Sequence, residues 1–266
     1  MKSLEFPPDR DLADFIQLIW VLESEQDGDV FPRELIMPDG IVEIVFHHGA
    51  PFYTWQDGNR FLQPQSFAIS MMRKHIAIES SGRIGLLAVR CFPWGGYHFF
   101  TEPVASFLDQ TIPCDRLWKD NDRLVTELSA AAGADAKVAC VQRFLRGQLA
   151  LCRRDEPAVI EAIKLIRQSK GQLSIDEVCA RTGFSQKQLS RKMTESVGVT
   201  PKVFSRVTRF LDVCSRLDEL DEATLSRLPH DCGFHDQAHF IKEFKAFSGF
   251  TPKEFFKRKD VVFTDL

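Results

Sequence analysis

An internal repeat in the C-terminal part of the chain constrains its fold more than any other feature. Gly183-Phe184 recurs as Gly233-Phe234, fifty residues later, and Thr200-Pro201-Lys202 recurs as Thr251-Pro252-Lys253, fifty-one residues later. One residue inserted between the two anchors accounts for the difference. The repeat predicts two units with the same layout: a short amphipathic helix, a Gly-aromatic turn, a longer helix, and a Thr-Pro pair that opens another helix.

The first unit carries the residues that begin and end two consecutive helices. Ser174 is the predicted N-cap of the short helix, and Glu177, three residues later, completes a capping box. Gly183 supplies a left-handed turn, and Ser185 caps the longer helix over residues 186–197. The face of this helix opposite its apolar stripe carries Lys187, Ser190, Arg191 and Thr194.

The second unit repeats the pattern with three phenylalanines, Phe240, Phe244 and Phe247, as its inward stripe. A short helix, a tight turn and a longer helix form a helix-turn-helix, whose second helix enters the major groove of DNA. The two units are joined by a helix that begins at Pro201. They predict two recognition helices that contact DNA on one face, about 34 Å apart. The predicted positions opposite the phenylalanine stripe are Ala238, Ile241, Lys242 and Lys245, and Gln237 lies at the leading edge of the helix.

Side-chain chemistry assigns roles to the outward residues. Arg191 matches the paired acceptors of guanine, and Gln237 matches adenine. Lys187 and Lys242 can each reach a base or a phosphate. Double-stranded DNA is therefore the expected partner of this half.

The charge distribution agrees with that assignment. The net charge is −3 overall, but residues 1–156 carry 16 basic and 22 acidic residues, whereas residues 157–266 carry 18 and 15. A polyanion-binding surface is therefore expected in the second half. The charged stretch that ends at Pro157 marks the expected domain limit, giving domains 1–156 and 157–266.

The first half is predicted to be mostly β. Short apolar runs such as residues 41–46 and 85–92 are separated by Gly and Pro turns at roughly ten-residue spacing, which is typical of a β-sandwich or barrel. From residue 104 the pattern becomes helical and predicts linker helices over about 104–156. Residues 120–150 are either a dimerisation surface or a layer packed against the barrel.

Cysteine usage and the N-terminus indicate an intracellular, cytoplasmic protein. The seven cysteines form no C-x-x-C pair, so disulfides and zinc sites are not expected. The first residues lack the features of a signal peptide, and the longest apolar run, residues 15–22, is too short to span a membrane.

The second half resembles the DNA-binding domain of AraC-family transcriptional regulators. The resemblance rests on residues 183–185 leading to Pro201 and, most closely, on residues 233–240 leading to Pro252. It implies base-reading positions that agree with the outward faces above, namely Lys187, Ser190, Arg191, Gln237, Ala238 and Lys242. Ala238 can contact only a thymine methyl. Pro229 departs from the pattern, so we expect the helix before the second turn to begin near Leu228 or to kink there.

The first half is similar to the sensor region of one AraC subgroup, through residues 37–46 and 89–96. The resemblance implies a cupin-like β-barrel that binds an effector. The expected fold is therefore a two-domain α+β chain: a mostly-β cupin-like barrel with trailing helices, then an all-α domain with two helix-turn-helix units. RNA polymerase and a second copy of the chain are further expected partners.

An apolar pocket in the first half is the expected effector site, with Arg90 and Glu43 orienting a polar group. The candidate residues are Trp20, Glu43, Trp55, Arg90 and Trp94. Aromatic side chains that only fill a barrel are the alternative interpretation, and for Arg90 the alternative is a structural ion pair.

Two other functions stay open for this half. A metal-dependent cupin enzyme would need more ligands than His75 and Glu79, because the adjacent His47 and His48 point to opposite faces of a strand. A thiol sensor would need a reactive cysteine, and Cys152 beside two arginines comes nearest. The chain contains no nucleophile motif or phosphate loop, so we expect a regulator without enzymatic activity, metal or cofactor.

Overall fold

The computed structural model describes residues 1–152, 154, 156–216, 228–258 and 261–262. Its first half is built from short strands, as the spacing of turns predicts. The strands are β1 (Lys2–Phe6), β2 (Ile16–Glu23), β3 (Glu34–Ile36), β4 (Val42–His47), β5 (Tyr53–Gln56), β6 (Asn59–Leu62), β7 (Ser66–Ile69), β8 (Ile76–Glu79), β9 (Gly85–Cys91) and β10 (Thr111–Pro113).

The strands form two sheets. The larger sheet has the order β1-β2-β9-β4-β7-β10, and all its described pairs are antiparallel. The smaller sheet has the order β11-β3-β8-β5-β6, where β11 is Val261–Val262 from the C-terminal end of the chain. The prediction of a β-rich first half is confirmed.

The larger sheet is covered on both faces, which explains the unbroken apolar runs of β4 and β9. Ile44 and Val89 face a core that the linker helices complete, while the alternate residues Val45 and Leu86 face the second sheet. A strand buried on both sides has no polar face to expose.

The helices follow the sequence signals closely. Two short 3₁₀ turns, Gly96–His98 and Val104–Phe107, precede the first of them. The α-helices are α1 (Cys114–Leu117), α2 (Asn121–Ala130), α3 (Gly133–Cys152), α4 (Pro157–Gln168), α5 (Ile175–Thr182), α6 (Gln186–Val197), α7 (Pro201–Cys214), α8 (Gln237–Ser248) and α9 (Pro252–Phe255).

The apolar stripe of α2 and α3 packs on the larger sheet. Leu124, Leu128, Val141 and Leu145 are all buried in the core that this sheet shares with the helices. Of the two interpretations of residues 120–150, packing against the barrel therefore accounts for this stripe. No helix in the described residues is long and apolar enough to cross a membrane.

The two halves share a hydrophobic core. Leu35, Met37 and Met71 from the strands belong to the same buried cluster as Phe204 and Val207 from α7. In addition, β11 pairs in parallel with β3, so that Val261 lies opposite Leu35. Strand pairing and side-chain packing together hold the helical half against the smaller sheet.

Candidate DNA interface and effector cavity

The first helix-turn-helix unit has the caps that its sequence predicts. The Ser174 hydroxyl accepts a hydrogen bond from the backbone N–H of Glu177, and the Glu177 carboxylate accepts one from the backbone N–H of Ser174. The same reciprocal pair joins Ser185 and Gln188 at the start of α6. Gly183 ends α5 at φ 75°, a left-handed conformation that strains other residues. The predicted capping box is confirmed.

The second unit is built in the same way around α8. Gly233 adopts φ 74°, and the Asp236 carboxylate caps α8 by accepting the backbone N–H of His239 at 2.7 Å. Residues 228–231 before the turn are helical, and Cys232 donates its backbone N–H to Leu228. The residues that would show where this helix begins lie outside the described part of the chain, so the prediction about Pro229 is not tested.

The outward faces of α6 and α8, the two recognition helices, are open to solvent. Lys187 and Arg191 are exposed on α6, with Ser190 half-buried between them. Four inward residues of α6 and α8 are buried, namely Leu189, Met193, Phe240 and Phe244. The exposed positions of α8 include Gln237, Ala238 and Lys242. Lys187, Arg191, Ala238 and Lys242 therefore lie on faces turned away from the core. Gln237 is exposed as the first residue of its helix, and Ser190 flanks the buried stripe of α6.

An ion-pair cluster that the sequence analysis did not single out fixes α8 to α7. Glu243 is buried on α8, and its carboxylate lies 2.5 Å from the Arg206 guanidinium and 3.7 Å from that of Arg209. Arg209 also donates to the backbone oxygen of Gly171 at 2.8 Å, in the loop before the first unit. One arginine on α7 thus contacts the second unit and the loop that leads into the first. The sequence signal was an acidic residue next to the Phe240–Phe244 stripe.

The first recognition helix is also tied to the β-rich half. Lys192 lies 2.6 Å from the carboxylate of Glu156, at the expected domain limit. The Tyr97 hydroxyl donates to Glu195 at 3.2 Å. Lys187 and Arg191 stay exposed beside this junction, and Arg191 lies one helical turn before Glu195 on the same face of α6.

A cavity of about 330 Å³ lies between the two sheets, and we call it the barrel cavity. Alternate residues of the larger sheet line it, as the two-residue repeat of a strand requires. Its walls are mainly apolar and aromatic, with a few polar groups. The lining includes Glu5, Trp20, Phe31, Glu34, Asp39, Ile41, Glu43, Phe52, Phe67 and Arg90.

Three of the five predicted effector residues meet in this cavity. Glu43 and Arg90 are directly opposite on β4 and β9, and the guanidinium lies 3.5 Å from the carboxylate. The Trp20 indole N–H donates to the same carboxylate at 3.0 Å. Arg90 is only 4% exposed, and its Nε has no hydrogen-bond partner among the described residues.

Trp55 and Trp94 do not line the barrel cavity. The Arg33 guanidinium lies 3.6 Å from the centre of the Trp55 ring and occupies that face. Trp94 stacks on Phe92 at 4.8 Å, and its indole N–H donates to the backbone oxygen of Asp14. Both tryptophan rings are therefore stacked against other side chains outside the barrel cavity.

The wall of the barrel cavity that contains Asp39, Ile41 and Arg90 is shared with a second cavity. This neighbour, of about 210 Å³, lies between that wall and helices α4 and α7, where Arg167 and Lys170 contribute its cationic groups. The same side chains therefore contact the interior of the barrel and the space beside the helix-turn-helix units.

Burial shifts the pKa of several other groups in the β-rich half. Burial lowers the pKa of His47 to about 4, and the ring bonds to Gln63 at 2.9 Å. Burial raises the pKa of the Cys91 and Cys114 thiols. Within the described residues, no group of three or more His, Cys, Asp or Glu side chains is placed to hold a metal ion.

Comparison with known proteins agrees with the repeat. Residues 178–258 match a family described as a helix-turn-helix domain, and residues 4–113 match a domain of unknown function. An uncharacterized HTH-type transcriptional regulator of Staphylococcus aureus strain MSSA476 is 36% identical over 83 residues. That alignment covers 31% of this chain but only 11% of the relative, and the counterpart from strain MRSA252 is 35% identical over the same length.

Two solved structures are similar over part or most of this chain. ToxT from Vibrio cholerae aligns over 96% of this chain and 98% of that chain, at 11% identity and a TM-score of 0.46. The xylose-binding transcription activator XylR aligns over 39% of this chain and 27% of that chain, at 26% identity and a TM-score of 0.34.

Proposed function

Since the chain carries an AraC-type helix-turn-helix domain over residues 178–258, we propose that it is a sequence-specific DNA-binding regulator of transcription, controlled by a small molecule in the barrel cavity. The observation that carries this proposal is the pair of capped recognition helices with exposed polar faces. Both helices belong to one buried core, so their relative position is fixed before DNA is bound.

The proposed DNA contacts combine base reading with phosphate binding. Arg191 offers a planar pair of donors to guanine, and Gln237 offers a donor and an acceptor to adenine. Lys187 and Lys242 are exposed cations at the edges of the two helices. A good bidentate base contact discriminates by about 1–3 kcal/mol, whereas phosphate contacts supply affinity that falls with salt.

Control by an effector is supported by the shared wall of the two cavities. A molecule that contacts Arg90 or Asp39 from inside the barrel acts on groups that also border α4 and α7. A ligand shifts a conformational equilibrium only through unequal contacts in the two states. These shared groups offer such contacts.

The proposed function includes two protein partners, a second copy of the chain and RNA polymerase. A second copy of the chain would dock on the outward side of α2 and α3, because their apolar stripe is already packed on the sheet. Sedimentation of the purified protein measures that association. An interaction with RNA polymerase and a location in the cytoplasm are both expected of a regulator of transcription.

The test of DNA binding is selection of bound fragments from random duplex DNA by the purified full chain. We expect an enriched motif with two segments about one helical turn, or 34 Å, apart. Arg191→Ala should weaken binding to the winning site by about 1–3 kcal/mol and relax one segment, and Gln237→Ala should relax the other.

Lys119→Ala, an exposed cation on the β-rich half, is the matched control and should leave affinity unchanged. Failure to enrich any motif, with and without candidate effectors, would contradict the proposal. Losses confined to Arg191→Ala would limit sequence reading to the first unit.

A further inference from the structure

The polar lining of the barrel cavity carries more negative than positive charge. Its carboxylates come from Glu5, Glu34, Asp39 and Glu43, while Arg90 is the only cation among the described lining residues. The Arg90 guanidinium already lies against Glu43, 3.5 Å away. A carboxylate ligand would therefore enter a space where negative charge predominates and where the cation already has a counter-ion.

Aromatic rings surround the same space. Trp20, Phe31, Phe52 and Phe67 all line the cavity, whose volume of about 330 Å³ suits a small organic molecule. The face of an aromatic ring is electron-rich and attracts a cation, most strongly at tryptophan. Rings together with carboxylates form a lining that favours a positively charged, largely apolar ligand.

Arg90 provides an independent observation that points to a ligand. Its side chain is nine-tenths buried, and its Nε has no hydrogen-bond partner among the described residues. A buried donor left without an acceptor destabilises the structure. A neutral oxygen on a bound molecule would accept this hydrogen bond without adding negative charge to the cavity.

We propose that the barrel cavity binds an amphipathic amine: an apolar body, a protonated nitrogen, and a neutral hydroxyl or carbonyl oxygen. The nitrogen lies toward Glu34 on the smaller sheet, while the oxygen accepts from Arg90 Nε on the larger sheet. Glu5 is exposed and draws the cation toward the cavity. This assignment rests on the proposed function in one respect, that the barrel cavity is the effector site.

The test is calorimetric titration of the full chain with four probes that share a phenylalkyl body. They are 2-amino-4-phenylbutan-1-ol, 4-phenylbutylamine, 4-phenylbutan-1-ol and 4-phenylbutanoate. We expect the amino alcohol to bind tightest, followed by the amine, and the amine to bind at least about tenfold more tightly than the carboxylate. Tighter binding of the carboxylate, equal binding of the amine and the alcohol, or no binding of any probe would overturn the proposal.

Glu5→Gln tests whether the amine binds in the barrel cavity. This substitution leaves the core undisturbed, because Glu5 is exposed. It should weaken the amine by about two- to fivefold and leave the neutral alcohol unchanged. The matched control is Glu127→Gln, whose carboxylate pairs with Arg123 and Arg143 on the linker helices. Equal effects of the two substitutions would contradict the assignment.

The DNA selection described above is run on the same preparation, without ligand. A chain that enriches a DNA motif but prefers the carboxylate overturns the ligand class alone. A chain that binds the amine but enriches no DNA motif overturns the proposed regulation alone.

Discussion

The Arg206 guanidinium on α7 lies 2.5 Å from the Glu243 carboxylate on the second recognition helix. Glu243 is only 7% exposed, and Arg209 approaches it from the next turn of α7. Because Arg209 also bonds to Gly171, the cluster links the second unit to the loop that leads into the first.

Glu243→Gln should therefore lower stability and loosen the second unit. Removing the charge leaves two arginines without their counter-ion, and we expect the free energy of unfolding to fall by about 1–3 kcal/mol. Urea denaturation measures this loss, and titration with the selected site should show weakened discrimination in the second segment. Glu161→Gln, an exposed position on α4, is the control, and a loss of equal size there would contradict the role of the cluster.

Lys187→Ala should reduce the salt dependence of DNA binding. If Lys187 contacts a phosphate, the slope of log affinity against log salt should become shallower by about one unit, with weaker binding to every sequence. Fluorescence anisotropy at several salt concentrations measures the slope. An unchanged slope combined with a changed preference at one base would mean that Lys187 reads a base instead.

Stability should fall as the pH drops below about 6.5. Burial lowers the pKa of His47 from 6.5 to about 4, so between these values the unfolded chain takes up a proton that the folded chain does not. We expect a loss of up to about 2–3 kcal/mol between pH 7 and pH 4 from this group. His47→Gln should flatten the pH dependence of urea denaturation, while His230→Gln, whose side chain is 97% exposed, should not.

Ending the chain after residue 260 should leave β3 as the unprotected edge strand of the smaller sheet. This truncation removes β11, so residues 35–36 lose one of their two strand partners and keep only β8. Amide hydrogen exchange there should accelerate about tenfold or more. A chain that ends after residue 262 keeps β11 and serves as the control. Identical exchange in the two proteins would show that the pairing contributes no protection.

Thiol labelling separates the effector proposal from a thiol sensor. All cysteines except Cys140 are buried, and burial raises the pKa of Cys91, Cys114, Cys214 and Cys232. Thiolates are the reactive species, so native iodoacetamide labelling near neutral pH should modify Cys140 at most. Rapid labelling of Cys152 would favour the thiol-sensor alternative.

The sequence predicts best those features that depend on neighbouring residues. The caps at Ser174 and Ser185 and the turn at Gly183 need only a few residues each, and the structure has all three. The strands at residues 42–47 and 85–91 follow from unbroken apolar runs. Neighbouring residues determine such elements, independently of the residues that pack against them from distant parts of the chain.

Features that join distant parts of the chain were harder to predict. Trp20 lines the barrel cavity and Trp55 does not. The guanidinium of Arg33, the residue before β3, stacks on the Trp55 ring. The Glu43–Arg90 pair needs the register of β4 against β9, which neither strand determines alone. The two residues of β11 are too few to form a sequence pattern that predicts a strand.

The pairing of β11 with β3 bears on how this protein could be divided or recombined. A chimera that exchanges residues 1–156 for those of a relative would leave Val261 and Val262 facing a foreign sheet edge. Such a graft would have to carry the matching C-terminal residues with its barrel, although they lie at the opposite end of the sequence. In this chain the unit that can be transplanted is discontinuous.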